Sequence, residues 1–214
     1  MDSVHASWQF GSRSELEEQD LDFEVVSSSD DGVEYGLLEG VDEALLRELV
    51  AEQGSKGGAF VPLSRPLPFD QGFVLAVRAI QHLRNLKRKG NKVIVGIGGS
   101  SGSGKSSLAH KIASVVGCAV VSLENYIDAS KVEDENYDTF NSLDKALLTA
   151  NLEDILNNQD TELPLFDLRK RERIGFRCLK AMDSSVVVLE GAFALHGEFS
   201  KYLDLKLSIV GGVH

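Results

Sequence analysis

The twelve residues from Gly96 to Ser107, GIGGSSGSGKSS, constrain this chain more than any other stretch. They hold five glycines, five serines and a single charge, Lys105. Glycine is costly to order within an element, and serine favours caps and turns. Yet the stretch follows directly on Val93-Ile94-Val95, a β-branched apolar run suited to a strand buried on both faces. From Gly99 to Ser106 it satisfies G-x-x-x-x-G-K-[ST] in full, the phosphate-binding loop between a strand and a helix. The composition follows from the chemistry. Consecutive backbone N–H groups must converge on one concavity and approach phosphate oxygens closely. The helix that opens near Lys105 aims its N-terminal N–H groups at the same anion. Gly99, Ser100, Ser101, Gly102, Ser103, Gly104, Lys105 and Ser106 are therefore expected to bind the phosphates of a nucleoside triphosphate. Lys105 would bridge the β- and γ-phosphates, and the Ser106 hydroxyl would bind Mg²⁺. A dinucleotide-binding register fails, because Gly96-x-Gly98-x-x calls for glycine where Ser101 stands.

The elements around the loop predict an α/β fold. Val93–Ile97, Ala119–Leu123, Ser185–Leu189 and Leu203–Val210 read as buried strands. Asp70 to about Lys89 reads as a helix with the stripe Phe73, Val74, Val77, Ile80, Leu83 and Leu86, and Gly90 stops it. Leu108, Ile112, Val115 and Val116 mark the helix after the loop, closed by Gly117. Leu143–Asn157 is a third helix with Leu147, Leu148, Leu152, Ile155 and Leu156 inward. Alternating strands and helices imply three layers around a mostly parallel sheet. Arg84, Lys87, Arg88 and Lys89 suit a solvated helix end matched to the dipole.

Three regions divide the chain. Residues 1–34 contain ten acidic residues and one basic one, so they carry nine of the eleven net negative charges. They are expected to form an acidic disordered tail, in which Phe23–Val26 can form a short strand. Residues 35–69 read as a helix from Asp42 to Gly54 followed by a loop, and residues 70–214 as the P-loop domain. The body is nearly neutral, so its charge gives no footprint for nucleic acid. No apolar run approaches the ~20 residues of a membrane span, and no secretory or transit signal opens the chain. A cytoplasmic location is expected, with Cys118 and Cys178 as reduced, part-buried thiols.

Other residues suit the chemistry around a nucleotide. The strand ending at Leu189 runs into Glu190, beside the crevice at the strands' carboxyl ends, where an acid can hold Mg²⁺. The strand ending at Leu123 runs into Glu124, with Asp128 four residues on. A carboxylate there can accept a proton from an attacking hydroxyl, and Glu124 is the better placed. Arg169-Lys170-Arg171-Glu172-Arg173, with Arg177 and Lys180, can clamp an anionic group or form a solvated face. Asp138 and Asp144 can contact a sugar hydroxyl or an outer-shell water. The five histidines show no metal or triad spacing.

In matching order, GGSSGSGKSS, VVSLENYID, NYDTFNSLD, LPLFDLRKRERIGFR and VVVLEGAFAL resemble the uridine kinase/phosphoribulokinase family of P-loop kinases. The nearest likeness is to the uridine-kinase-like domain of plant triphosphate tunnel metalloenzymes. The resemblance spans roughly residues 65–214. It implies ATP- and Mg²⁺-dependent phosphoryl transfer to a small hydroxyl-bearing acceptor. Lys105, Glu124 and Arg173 would be catalytic. Asp138, Phe166, Arg171 and Arg173 would bind substrate, and Ser106 and Glu190 would bind metal. Glu124 falls where the family has an aspartate base, Phe166 where it has a tyrosine, and Arg171 where it has a histidine. The fixed cation of Arg171 suits an anionic acceptor. The family's arginine-bearing lid would follow His214, so the domain is expected to be truncated at its C-terminus. The alternatives are a nucleotide-binding regulatory module with little turnover, or the P-loop part of a fusion enzyme that hydrolyses triphosphate or diphosphate.

Overall fold

A computed structural model describes residues 69–87 and 90–209. The acidic tail, the Asp42–Gly54 helix and the loop up to residue 68 lie outside the described residues, as do Arg88, Lys89 and Val210. The described elements are α1 (Phe69–Leu86), β1 (Val93–Gly99), α2 (Lys105–Val116), β2 (Ala119–Ser122) and α3 (Lys145–Leu156). They continue with β3 (Thr161–Asp167), β4 (Glu172–Leu179), β5 (Val186–Glu190), the short α4 (Gly197–Ser200) and β6 (Leu205–Ile209).

The sheet of four described strands runs in the order β2-β5-β1-β6, with every pairing parallel. The central strands β1 and β5 are buried on both faces, and their side chains alternate between two cores. Val93, Val95, Ile97, Val186 and Val188 pack with α1 and α2 in one core. Ile94, Val187 and Leu189 pack with α3, Tyr126, Phe199 and Leu203 in the other. The three expected layers are therefore present. Each fully buried Val, Ile or Leu contributes ~1.5–3 kcal/mol.

The α2 helix ends as expected, with Gly117 left-handed at φ 69°. α3 starts two residues later than the sequence suggests, because the Asp144 side chain caps it by accepting from the Leu147 N–H. Four details correct the sequence reading. Leu86 is exposed, since the α1 stripe runs past the core before the helix ends. Lys87 does not point into solvent but pairs with buried Asp204 at 2.6 Å. Asp204 Oδ2 also accepts from the Ile94 N–H at 2.8 Å, which ties the start of the last strand to β1. Cys178 is exposed on β4, whereas burial pushes the half-buried Cys118 thiol up to about 11.

The fourth correction is the largest. Residues 161–179 form an antiparallel hairpin, β3–β4, outside the main sheet. The basic run occupies its turn and the start of β4. Asp167 Oδ1 accepts from the N–H groups of Arg169 and Lys170 and so closes the turn. Among the described residues, no helix is long and apolar enough to cross a membrane.

Candidate active site

The glycine loop joins the C-terminal end of β1 to the N-terminus of α2 at the centre of the sheet. Gly99 is required here twice over. Its φ is 150°, and a Cβ would lie 2.7 Å from the Ile209 carbonyl oxygen and 2.9 Å from Ser103 Oγ. Gly104 takes φ 91° at the N-cap of α2, a conformation that costs other residues strain. The Ser103 N–H bonds to the Ser100 carbonyl at 3.2 Å and closes the loop. Lys105 is buried, and its Nζ donates to the Ser100 carbonyl at 2.7 Å. Ser103 Oγ is buried with no partner. A cation, an orphaned hydroxyl and a helix N-terminus without a side-chain cap thus lie together within one short loop. These donors fit a chain of phosphates.

β5 pairs with β1 so that Glu190 stands opposite Ile97. Glu190 is buried and accepts from Ser106 Oγ at 3.1 Å. The hydroxyl and the carboxylate that the sequence reading assigns to a metal are therefore in contact. They are two oxygen ligands of the kind Mg²⁺ takes.

Glu124 sits in the one-turn 3₁₀ helix Leu123–Tyr126 that follows β2. The residue as a whole is exposed, while neighbouring protein partly screens its carboxyl from water. Desolvation by the surrounding protein raises its pKa first, and the Glu190 carboxylate second; Asp138 adds a smaller push, while the Lys105 cation opposes the shift. The four groups thus share one electrostatic environment. Asp128 does not compete for the same role. Its carboxylate caps the turn Ala129–Lys131 and bonds Ser130, which holds its pKa below the usual range.

The acceptor-side candidates lie on the hairpin and on the 129–144 insertion. Arg173 Nη2 contacts Asp144 Oδ2 at 3.1 Å, so the acid read as a sugar or water ligand instead caps α3 and holds an arginine. Arg173 Nε is buried without a partner. Arg171 is left-handed at φ 58° in the hairpin turn, 3.4 Å from Glu135 and over the Tyr137 ring at 5.4 Å. Asp138 is exposed beside Tyr137 in sequence. Phe166 is half-buried and packs on the second core. Sequence reasoning did not single out Glu135, Tyr137 or Asn125. Asn125 Oδ1 accepts from the Phe166 N–H at 3.1 Å. An asparagine or an acid in a loop carries no local mark of such contacts.

Residues 94–212 match the family described as PRK, Phosphoribulokinase / Uridine kinase family. The chain belongs to that family. It is 46% identical over 155 residues to the uridine-cytidine kinase C of Dictyostelium discoideum, covering 72% of this chain and 34% of that one. It is 34% identical over 168 residues to the inorganic pyrophosphatase TTM2 of Arabidopsis thaliana, covering 78% and 25%. The chain thus spans about a third or less of the length of these curated relatives. Among solved structures, a possible uridine kinase from Bacillus stearothermophilus shares the fold. Its TM-score is 0.50 at 20% identity, over 60% of this chain and 78% of that one. Phosphoribulokinase/uridine kinase membership accounts for the P-loop on β1 and for the mostly parallel sheet around it.

Proposed function

We propose that the chain is an ATP- and Mg²⁺-dependent phosphotransferase that acts on a hydroxyl of a small acceptor. One observation carries this reading: the Ser106 hydroxyl and the buried Glu190 carboxylate meet at 3.1 Å at the mouth of the phosphate loop. A base candidate, Glu124, follows β2, the strand on the far side of β5 from the phosphate loop. Gly99–Ser107 would hold the triphosphate, with Lys105 on its terminal phosphates. Ser106 and Glu190 would hold Mg²⁺. Bound Mg²⁺ would neutralise charge on the phosphate oxygens. Glu124 would take the proton of the acceptor hydroxyl, and a raised pKa makes it a stronger base. Asp138, Phe166, Arg171 and Arg173 would hold the acceptor.

The Arg171 charge is already answered by Glu135 at 3.4 Å. That favours a neutral acceptor over a sugar phosphate. The name of the Dictyostelium relative puts uridine and cytidine first in the panel. We assign the protein to the cytoplasm, where ATP and reduced thiols occur together.

The test incubates the protein with Mg·ATP and uridine, cytidine or sugar phosphates, and follows ADP and the phosphorylated product. Turnover with a nucleoside that Lys105→Ala abolishes is the expected result. ADP at background level with every acceptor overturns it. The Arabidopsis relatives, named as inorganic pyrophosphatases, favour a second reading, hydrolysis of diphosphate or triphosphate. It predicts orthophosphate release from pyrophosphate or ATP with no acceptor present.

A further inference from the structure

The β3–β4 hairpin does not keep one register. Its partners step evenly from Thr161 opposite Leu179 to Leu165 opposite Gly175. The next pair is Phe166 opposite Arg173, so Ile174 is an extra residue on β4. Directly opposed residues of an antiparallel pair share a face. An unbroken register would set Phe166 beside Ile174, whose side chain is 55% exposed. The bulge sets it beside Arg173 instead. Bulges re-aim side chains and occur often next to active sites.

At this bulge the Phe166 N–H donates to Asn125 Oδ1 at 3.1 Å. Asn125 directly follows Glu124, in a turn that is itself firmly held. The Tyr126 carbonyl accepts from the Asp144 N–H at 2.7 Å, and Tyr126 Oη bonds buried Asn151 at 2.8 Å. The Asn125 side-chain amide thus links the turn that carries Glu124 to Phe166, the residue opposite Arg173, alongside the Arg173–Asp144 contact and the Arg177 bond to the Val120 carbonyl. The hairpin belongs to a separate sheet, so no shared strand ladder sets that spacing.

We propose that Asn125 is a positioning residue, whose side-chain carbonyl fixes the bulged hairpin carrying Phe166 and Arg173 at a set distance from the Glu124 carboxylate. The proposal rests on the function proposed above. It is tested on the full chain by amide hydrogen exchange in ¹⁵N NMR spectra, together with steady-state kinetics on Mg·ATP and uridine. Asn125→Ala should speed exchange at Phe166 about tenfold, the loss of one bond. It should raise KM for uridine and lower kcat, with KM for Mg·ATP unchanged. Asn125→Asp keeps an acceptor oxygen and nearly the same shape, so it should restore Phe166 protection and the uridine KM. Its added charge joins Glu190 and Asp138 around Glu124, against Lys105, and should move the acid limb of kcat/KM to higher pH. A role in folding alone would not split the two KM values.

Phe166 exchange within twofold of wild type in Asn125→Ala overturns the proposal. So does faster exchange with unchanged kcat and KM for uridine. If Asn125→Ala does not fold, Asn125→Ser, whose hydroxyl is too short to reach the Phe166 N–H, carries the test, and Phe166 exchange within twofold of wild type overturns the proposal. Failure of the underlying function looks different. Wild-type turnover in Glu124→Gln removes Glu124 as base, whatever Asn125 does. An inactive Glu124→Gln with a normal Asn125→Ala removes the positioning role alone. A wild-type protein that phosphorylates no acceptor overturns both.

Discussion

Ser106 and Glu190 meet at 3.1 Å on the ends of buried elements, whereas Arg171 and Glu135 meet at 3.4 Å across two exposed turns. The first pair stands on α2 and β5, whose positions are set by parallel pairing and two cores. The second stands on turns where Asp134, Glu135 and Arg171 all take positive φ without being glycine. Phosphate chemistry is common to the P-loop kinases, and here it sits on the rigid frame. The residues proposed to recognise the acceptor sit on segments held by individual side chains, Asn125, Asp144 and Asn151 among them. Such segments change without disturbing the sheet.

The sharpest way to test that division is to remove the group at its border. Glu124→Gln should lower turnover by ~10²–10⁴-fold, the usual worth of a general base. The pKa of Glu124 is raised, so the base is lost by protonation as pH falls through that raised value. The acid limb of wild-type kcat/KM should therefore lie above that of an unperturbed glutamate and disappear in the variant. The stability sign is opposite. A carboxyl with a raised folded pKa binds more protons folded than unfolded, so its ionisation weakens folding as pH rises between the two values. Glu124→Gln should leave Tm at neutral pH unchanged or slightly higher. A large fall in Tm would mean that this residue belongs to the frame.

Lys105→Ala tests the phosphate side alone. Loss of one preorganised charge at transferring phosphate should cost ~10²–10³-fold in kcat. Acceptor binding, measured by calorimetry without nucleotide, should be unaffected.

Asn151→Leu probes how the acceptor side is anchored. Asn151 is buried and links Tyr126 Oη, Thr161 Oγ1 and the Glu162 carbonyl, and Thr161 bonds Asp154. Leaving such partners unsatisfied costs ~1–3 kcal/mol. Chemical denaturation should show that loss, with nucleotide affinity retained.

Arg171→Ala should have the smallest effect. An exposed ion pair contributes at most ~1 kcal/mol, so the denaturation midpoint should scarcely move. A raised KM for the acceptor, with KM for Mg·ATP constant, would keep Arg171 on the acceptor side. An unchanged acceptor KM would remove it from the site.

Much of this division is legible in the sequence. The strands β1, β2 and β5 begin as continuous apolar runs, β6 alternates about Lys206 and Ser208, and the loop motif fixes eight consecutive residues. Glu190 and Glu124 are found because each ends a recognisable strand. The hairpin escapes notice for physical reasons. Pro164 and Gly175 interrupt β propensity, a bulge breaks the period, and Ile174 and Phe176 are exposed apolar residues beside a basic run. Asp144 looks like a neighbour of Asp138, but a cap and an arginine 29 residues away claim it.

The chain's own residues determine the phosphate cradle, because its geometry is local. Gly99, Gly104, Lys105 and Ser106 lie within eight positions, and backbone conformation alone turns their groups one way. Only the tertiary structure decides what stands opposite. The Ser106–Glu190 contact spans 84 residues and the Phe166–Asn125 bond spans 41. Parallel pairing sets the first distance. Packing of a separate hairpin against the Glu124 turn sets the second, and no short-range pattern encodes either.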